Sequence, residues 1–295
     1  MLPPPAMPPH PAPARPAAPD DATDDAPPQD AWPAQPARSA PPRPAPLLSV
    51  VVPVRNEAGN IQPLLDEIAA ALRGVDHEVV YVDDGSTDAT PAQLRAAQAA
   101  LPPGALVLRR HRRSCGQSAA VVTGVRAARG AYIATLDGDG QNDPADIPAL
   151  LARAQAAGDP LLLVAGHRTR RRDTWVKRRS SQVANRVRAA LLHDATPDSG
   201  CGLKLFRRQA FGELPCFDHM HRYLPALFIR AGGHVESVPV NHRPRTRGRS
   251  NYGTLDRLWV GLSDLVGVAW LQRRWKRPEI EPEAGQGTEA EAGRG

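Results

Sequence analysis

Aromatic side chains are scarce in this chain of 295 residues, at 4%. Few stacking platforms are therefore available, which counts against a protein that holds single-stranded nucleic acid on aromatic faces. Cysteine is scarcer still. Cys115, Cys201 and Cys216 show no Cys-x-x-Cys spacing and no matching His cluster, so they argue for free thiols in a reducing cytosol rather than a zinc site. No Gly-x-Gly-x-x-Gly follows the first apolar strand, and no Gly-x-x-x-x-Gly-Lys-Ser/Thr occurs anywhere. Those absences set aside a dinucleotide oxidoreductase and a P-loop NTPase. The start of the chain has no apolar run behind a basic head, unlike a secretory signal. No apolar stretch reaches the ~20 residues of a spanning helix, and no internal repeat is visible.

Proline is the opposite case. Residues 1–46 hold 17 of the 32 prolines, among Ala and Asp with almost no β-branched content. Such a segment cannot bury enough apolar surface to offset its ordering entropy and is expected to be a disordered tail. The Glu/Gly/Ala-rich residues 278–295 are a second loose tail. Between them, residues 47–254 have the length of one domain. Strands are predicted at 47–54, 78–82, 105–108, 131–136 and 161–165. Helices are predicted from Ile61 to Leu72, through Leu94 and Ala97, from Gly116 to Ala128, and around 146–157. This β-α alternation predicts an α/β fold, a mostly parallel Rossmann-like sheet flanked by helices.

Two acidic motifs end two of those strands: Val82-Asp83-Asp84-Gly85-Ser86-Thr87-Asp88 and Leu136-Asp137-Gly138-Asp139-Gly140-Gln141. Open α/β sheets bind ligands at the carboxyl ends of their strands, so both clusters should face one crevice. Clustered carboxylates repel one another unless a cation lies between them, and hard oxygen ligands suit Mg²⁺ or Mn²⁺ bridging to a diphosphate. The blander alternative is a turn in which Ser86 or Asp88 caps the next helix. The net charge of +6 is concentrated at 168–188, 243–249 and 273–277, a pattern that suits a phosphate-rich partner or an anionic lipid surface, against the plainer alternative of a solvated face.

In order and at these spacings, Val52-Pro53-Val54-Arg55-Asn56-Glu57, the two acidic motifs, Gly166-His167-Arg168, Ser181-x-x-x-Asn185, Asp198-Ser199-Gly200-Cys201-Gly202-Leu203-Lys204 and His242-Arg243-Pro244-Arg245 with Gly248-Arg249-Ser250-Asn251-Tyr252 resemble glycosyltransferase family 2. This family comprises inverting nucleotide-sugar enzymes of the GT-A fold. More narrowly, the chain resembles the polyprenyl-phosphate glycosyltransferases typified by dolichol-phosphate mannosyltransferase. The resemblance implies that Pro53, Arg55, Glu57, Tyr81 and Asp83 line a nucleoside pocket. It implies that Asp137, Asp139 and Gln141 hold Mg²⁺ or Mn²⁺ on the diphosphate. Arg168, Lys177 and Ser181 would meet the acceptor phosphate with Asn185 behind them, and Arg245 would bind the donor phosphates. Asn251 replaces the lysine that the family usually carries after Ser250, so Arg247 or Arg249 would supply that charge.

The implied reaction moves a sugar with inversion from a UDP- or GDP-linked donor to a polyprenyl phosphate, for cell-envelope glycan or glycolipid synthesis. A phosphate monoester is already an anion at neutral pH, so such an acceptor needs positioning more than a general base. Leu258 to Leu271, flanked by Trp259, Trp270 and Trp275 and followed by basic residues, is too short to span a bilayer. The region 255–277 is therefore expected to lie as an interfacial helix and basic anchor on an anionic membrane, with a core helix as the alternative. The expected location is cytoplasmic, peripheral on the inner face of the plasma membrane. Two rivals stand beside this reading. One is an enzyme of the same fold acting on a soluble or protein hydroxyl, with Asp198 as base. The other is a non-catalytic polyanion binder; nucleic acid is not an expected partner.

Overall fold

A computed structural model describes residues 44–169, 188–244 and 254–274, with side chains in the last stretch from residue 261 onward. Seven strands form one sheet in the order β3-β2-β1-β4-β6-β5-β7. The first half follows the sequence pattern closely. β1 (Leu48–Val54), β2 (His77–Asp83), β3 (Leu106–Arg110) and β4 (Tyr132–Thr135) are parallel, joined by α1 (Ile61–Ala71), α2 (Thr90–Ala100) and α3 (Gln117–Ala127). β1 is buried along nearly its whole length, as a central parallel strand covered on both faces must be. Ile61, Leu64, Leu65, Ile68 and Leu72 are all buried, which fulfils the helical spacing of α1.

The other face is covered by α3, whose Val121, Val122 and Val125 share a core cluster with Val51, Val80 and Val82. α3 can lie this close because residue 124 is glycine; a Cβ there would collide with Val51. α4 (Ile147–Ala157) leads to β5 (Leu162–Arg168). Beyond the unassigned stretch come β6 (Lys204–Arg207), α5 (Arg208–Gly212), α6 (Leu224–Arg230), β7 (His234–Val240) and α7 (Thr254–Arg273).

Among the described strands, β6 alone runs against the others. It pairs antiparallel with both β4 and β5, placing Lys204 beside Thr135 and Ala165. A reversed strand begins where its parallel neighbours end. The 198–203 loop that feeds β6 is therefore delivered to the carboxyl edge of the sheet, next to the acidic end of β4.

α7 belongs to the body of the domain. Leu265 and Val268 are buried in the core cluster, Tyr223 Oη donates to the Gly261 carbonyl at 3.1 Å, and Gln272 Nε2 donates to the carbonyls of Leu192 and Ala226. The region expected to start an anchor at residue 255 thus begins inside this helix. The core-helix alternative describes one face, and the other face exposes Leu262, Val266 and Trp270.

Candidate active site

The two acidic motifs arrive at one edge through the sheet register. Val54 pairs with Asp83, so β1 and β2 end together, and the Leu136 N–H donates to the Val51 carbonyl, so the chain leaving β4 runs up beside the end of β1. Within the first motif the residues divide by role. Asp84 is structural: its carboxylate accepts from Ser114 Oγ, the Cys115 and Gly116 amides and His111 Nδ1, at 2.7–2.9 Å. Burial opposes its ionisation, but those donors outweigh burial and hold the carboxyl below its ordinary range. Asp88 caps α2 through the Thr90 amide, and Ser86 Oγ accepts the Asn56 N–H, tying the β1 loop to the β2 loop. The turn-and-cap alternative thus describes Asp88, whereas Ser86 joins two loops and does not cap α2.

Asp83 is different. Oδ1 accepts the Ser86 amide at 2.9 Å; Oδ2 is buried, has no hydrogen-bond partner among the described residues and faces Arg110 Nε at 3.1 Å. Pro53 lines the cavity described below, Arg55 is exposed, and Glu57 accepts from Asn60 Nδ2 at 2.6 Å. Tyr81 corrects its expected place in a nucleoside pocket. It has no exposed surface, and among the described residues its hydroxyl has no hydrogen-bond partner, because β2 is an inner strand buried on both faces.

At the end of β4, Asp137 and Asp139 stand one residue apart. Gln117 Nε2, at the start of α3, donates to Asp137 Oδ1 at 2.8 Å, and the Gln141 amide donates to Asp139 Oδ1 at 3.1 Å. Burial and the charge of Asp139 push the Asp137 carboxyl above its ordinary range, against the pull of Lys204 and Arg168. Two oxygen-donor side chains in mutual repulsion fit a hard divalent cation, whose charge reverses that shift. Gly138 is required by packing, since a Cβ there would collide with Val54. Gly202 is required by the site itself: a Cβ there would collide with the Asp137 carboxylate. Thr135 Oγ1 fixes the Gly202 carbonyl at 2.7 Å.

Beside Asp137 lies a cavity of about 260 Å³ lined by residues of β4, α3, the 199–202 loop, Lys204, His221 and Arg222. Lys204 is 3% exposed and donates to the Cys201 carbonyl. Burial pulls its ammonium below the usual lysine range, while Cys201, Asp137 and Asp198 act the other way.

Arg168 does not point an open guanidinium at an acceptor. Its Nε and Nη2 grip the two oxygens of Asp198 at 2.6 and 2.8 Å, in the planar fork that arginine offers a carboxylate. Asp198 is 5% exposed, so Arg168→Ala would take the facing guanidinium away from a buried carboxylate. Such losses cost about 3–5 kcal/mol. Thermal melts should show a large drop for Arg168→Ala and recovery in the double variant Arg168→Ala/Asp198→Ala; an unchanged melt for the single variant would contradict the pairing. The basic runs are likewise partly internal, since Arg188 pairs with Asp194, and Arg243 with Glu67 and Asp143. Lys177, Ser181, Asn185, Arg245, Arg247, Arg249, Ser250 and Asn251 lie outside the described residues.

Gln117, Lys204, Gly202 and His221 acquire roles only here. Gly202 and Lys204 sit inside a quoted motif, and Gln117 follows the glycine that opens α3. A lone histidine in Met220-His221-Arg222 carries no sequence signal at all.

A mostly parallel sheet with acid-bearing strand ends and a polar cavity over β4 and β6 is a GT-A-like architecture. The chain belongs to glycosyl transferase family 2, whose description matches residues 49–214. The dodecaprenyl-phosphate galacturonate synthase of Rhizobium johnstonii is 36% identical over 242 residues, covering 78% of this chain and 69% of that protein. The undecaprenyl-phosphate 4-deoxy-4-formamido-L-arabinose transferase of Enterobacter sp. is 35% identical over 222 residues, covering 74% and 66% respectively. The chain thus spans about two thirds of the length of these relatives. Among solved structures, glucosyl-3-phosphoglycerate synthase from Mycobacterium tuberculosis, in complex with Mn²⁺, uridine diphosphate and glucosyl-3-phosphoglycerate, aligns with a TM-score of 0.59. That match has 21% identity and covers 77% of this chain and 80% of the other, a likeness of fold.

Proposed function

We propose that this protein transfers a sugar, with inversion, from a nucleoside diphosphate to the phosphate of a polyprenol at a membrane surface. The observation that carries the reading is the Asp137–Asp139 pair at the end of β4, set beside a polar cavity and one strand away from the end of β1. Asp137, Asp139 and Gln141 would hold Mg²⁺ or Mn²⁺, which when bound neutralises the diphosphate and favours its departure. Gln117 keeps Asp137 oriented for that task, and Gly202 leaves room for its carboxylate. The relatives named for polyprenyl phosphates support the acceptor. Asp198 supports it too: with both oxygens engaged by Arg168, it is poorly placed to serve as base toward a hydroxyl acceptor.

UDP is the proposed donor nucleotide. Asp83, at the end of β2, is fully buried, with Oδ1 on the Ser86 amide and Oδ2 facing Arg110, so the support for UDP comes from elsewhere. A mycobacterial structural neighbour carries UDP-glucose with Mn²⁺. The test is an assay of purified protein with polyprenyl phosphate, Mn²⁺ and a panel of labelled UDP- and GDP-sugars. No transfer from any of them would reject the proposal.

α7 supplies the membrane side of the reading. No described helix is long and apolar enough to cross a bilayer. Leu262, Val266 and Trp270 are 51%, 62% and 57% exposed and recur every four residues, so they form one apolar stripe, continued by exposed Arg273 and Arg274. An apolar stripe with basic residues at its end suits the inner face of an anionic membrane. Cutting the helix away would also remove Leu265 and Val268 from the core, so the surface variant Leu262→Ser/Val266→Ser/Trp270→Ser is the cleaner probe. Wild type should stay on anionic liposomes at roughly 0.5 M salt, where the Debye length is only a few Å, and the triple variant should be released. Full release of wild type under those conditions would leave only an electrostatic contact.

A further inference from the structure

The sheet order distributes the donor along one edge. Asp83 ends β2, Pro53 is next to last in β1, Asp137 follows β4, and the cavity continues over β6, away from the nucleoside side. At about 260 Å³ the cavity is below the ~300–1,000 Å³ of pockets for drug-sized ligands. It suits one sugar ring rather than a whole nucleotide sugar.

His221 lines this cavity, and its hydrogen bonds specify its tautomer. Ser118 Oγ accepts the His221 backbone N–H at 3.2 Å and lies 2.8 Å from His221 Nδ1. Ser118 is 2% exposed, and its hydroxyl has no other hydrogen-bond acceptor among the described residues. Its single hydrogen therefore goes to Nδ1, which makes Nδ1 the acceptor and leaves the proton of a neutral ring on Nε2. Burial, helped by Lys204, Arg222 and His219, pushes the imidazole down to about 3, so the ring is neutral throughout the physiological range. Among the described residues Nε2 has no hydrogen-bond partner, and it is not sealed from solvent.

We infer that His221 is a sugar-binding residue of the donor site, its Nε2–H donating to an oxygen of the transferred sugar, with Ser118 as the positioning residue that fixes the tautomer. This inference rests on the proposed function, because it takes the cavity beside Asp137 as the place of the sugar. Asp137, Gln117 and the 199–202 backbone line the same cavity and complete a mixed donor and acceptor wall of the kind a polyhydroxylated ring needs.

The experiment compares UDP with UDP-sugars by calorimetry in Mn²⁺, for wild type, His221→Leu and His221→Gln. His221→Leu should bind UDP like wild type and lose on the order of tenfold in affinity for the UDP-sugar that wild type transfers, the scale of one neutral hydrogen bond. His221→Gln, whose amide presents both an acceptor and a donor, should recover most of that loss, a rescue that packing alone would not produce. Nitrogen-15 NMR of the ligand-free protein at neutral pH should show His221 protonated on Nε2 alone, and Ser118→Ala should relax that preference. Equal UDP-sugar affinities for wild type and His221→Leu, with UDP bound by both, would overturn the sugar contact and leave the proposed function standing. So would a protonated Nδ1 in wild type. A wild-type protein that bound neither UDP nor any UDP-sugar would overturn the proposed function, and this inference with it.

Discussion

Asp139→Ala is expected to abolish sugar transfer while leaving the fold intact. Losing the several kcal/mol that a bound cation contributes to charge stabilisation corresponds to a rate loss on the order of a thousandfold. The fold should survive because Asp139 is a half-buried side chain on the loop after β4, outside the core, and the bond it accepts from the Gln141 amide is local. Stability should hold at neutral pH for a second reason. In the metal-free protein the Asp137 carboxyl is raised above its unfolded value, by burial first and by Asp139 second. A folded state that binds protons more tightly than the unfolded state loses stability as pH rises from the ordinary aspartate range through the raised value. Asp139→Ala removes one cause of that loss, so its melting temperature without metal should equal or exceed that of wild type. Added Mn²⁺ should raise the wild-type midpoint by mass action and leave the variant's unmoved. Wild-type activity in excess EDTA, or near-normal activity of the variant, would sink the metal assignment.

Gly202→Ala should be nearly as damaging, although it removes no functional group. The new Cβ would enter the space of the Asp137 carboxylate, and the backbone cannot easily retreat because Thr135 Oγ1 holds the Gly202 carbonyl. Asp137 must therefore rotate off its bond to Gln117, and the cation loses a ligand. A loss of at least about a hundredfold in activity follows from misplacing a catalytic group by ~1 Å. Overpacking should cost only about 1–3 kcal/mol of stability. The glycine is needed for close approach rather than for a left-handed backbone, unlike Gly85, whose φ is +68° and whose Cβ would lie 2.7 Å from the Arg113 backbone. Calorimetric titration of Mn²⁺ with UDP separates the causes: normal affinity in Gly202→Ala would show that the methyl group leaves Asp137 in place.

The first half of the domain was legible because its signals are local. Runs such as Val50-Val51-Val52 and Val79-Val80 can be buried on both faces only in a central strand, and the spacing of Ile61, Leu64, Leu65 and Ile68 admits only a helix. The acidic motifs were legible for the same reason, since each directly follows its strand. Arg168 and Asp198 were both visible as motif members, and chain order could not say that they grip each other from 30 residues apart. Tyr81 was assigned to a nucleoside pocket by resemblance, and a motif match carries over a role without saying which side chains this chain packs into its core.

Sequence alone determined the α/β alternation, the two acid-bearing strand ends and the apolar stretch that became α7, because each depends on residues within a few positions of one another. Only the tertiary structure decided that β6 runs backwards between β4 and β5. That reversal carries Gly202 and Lys204 to Asp137, and packing beyond β6 adds His221 to the same cavity. The physical reason is range: hydrogen-bond periodicity and side-chain alternation act over one or two turns of chain. Strand direction and the partner of a buried charge are settled by which distant surfaces exclude water together.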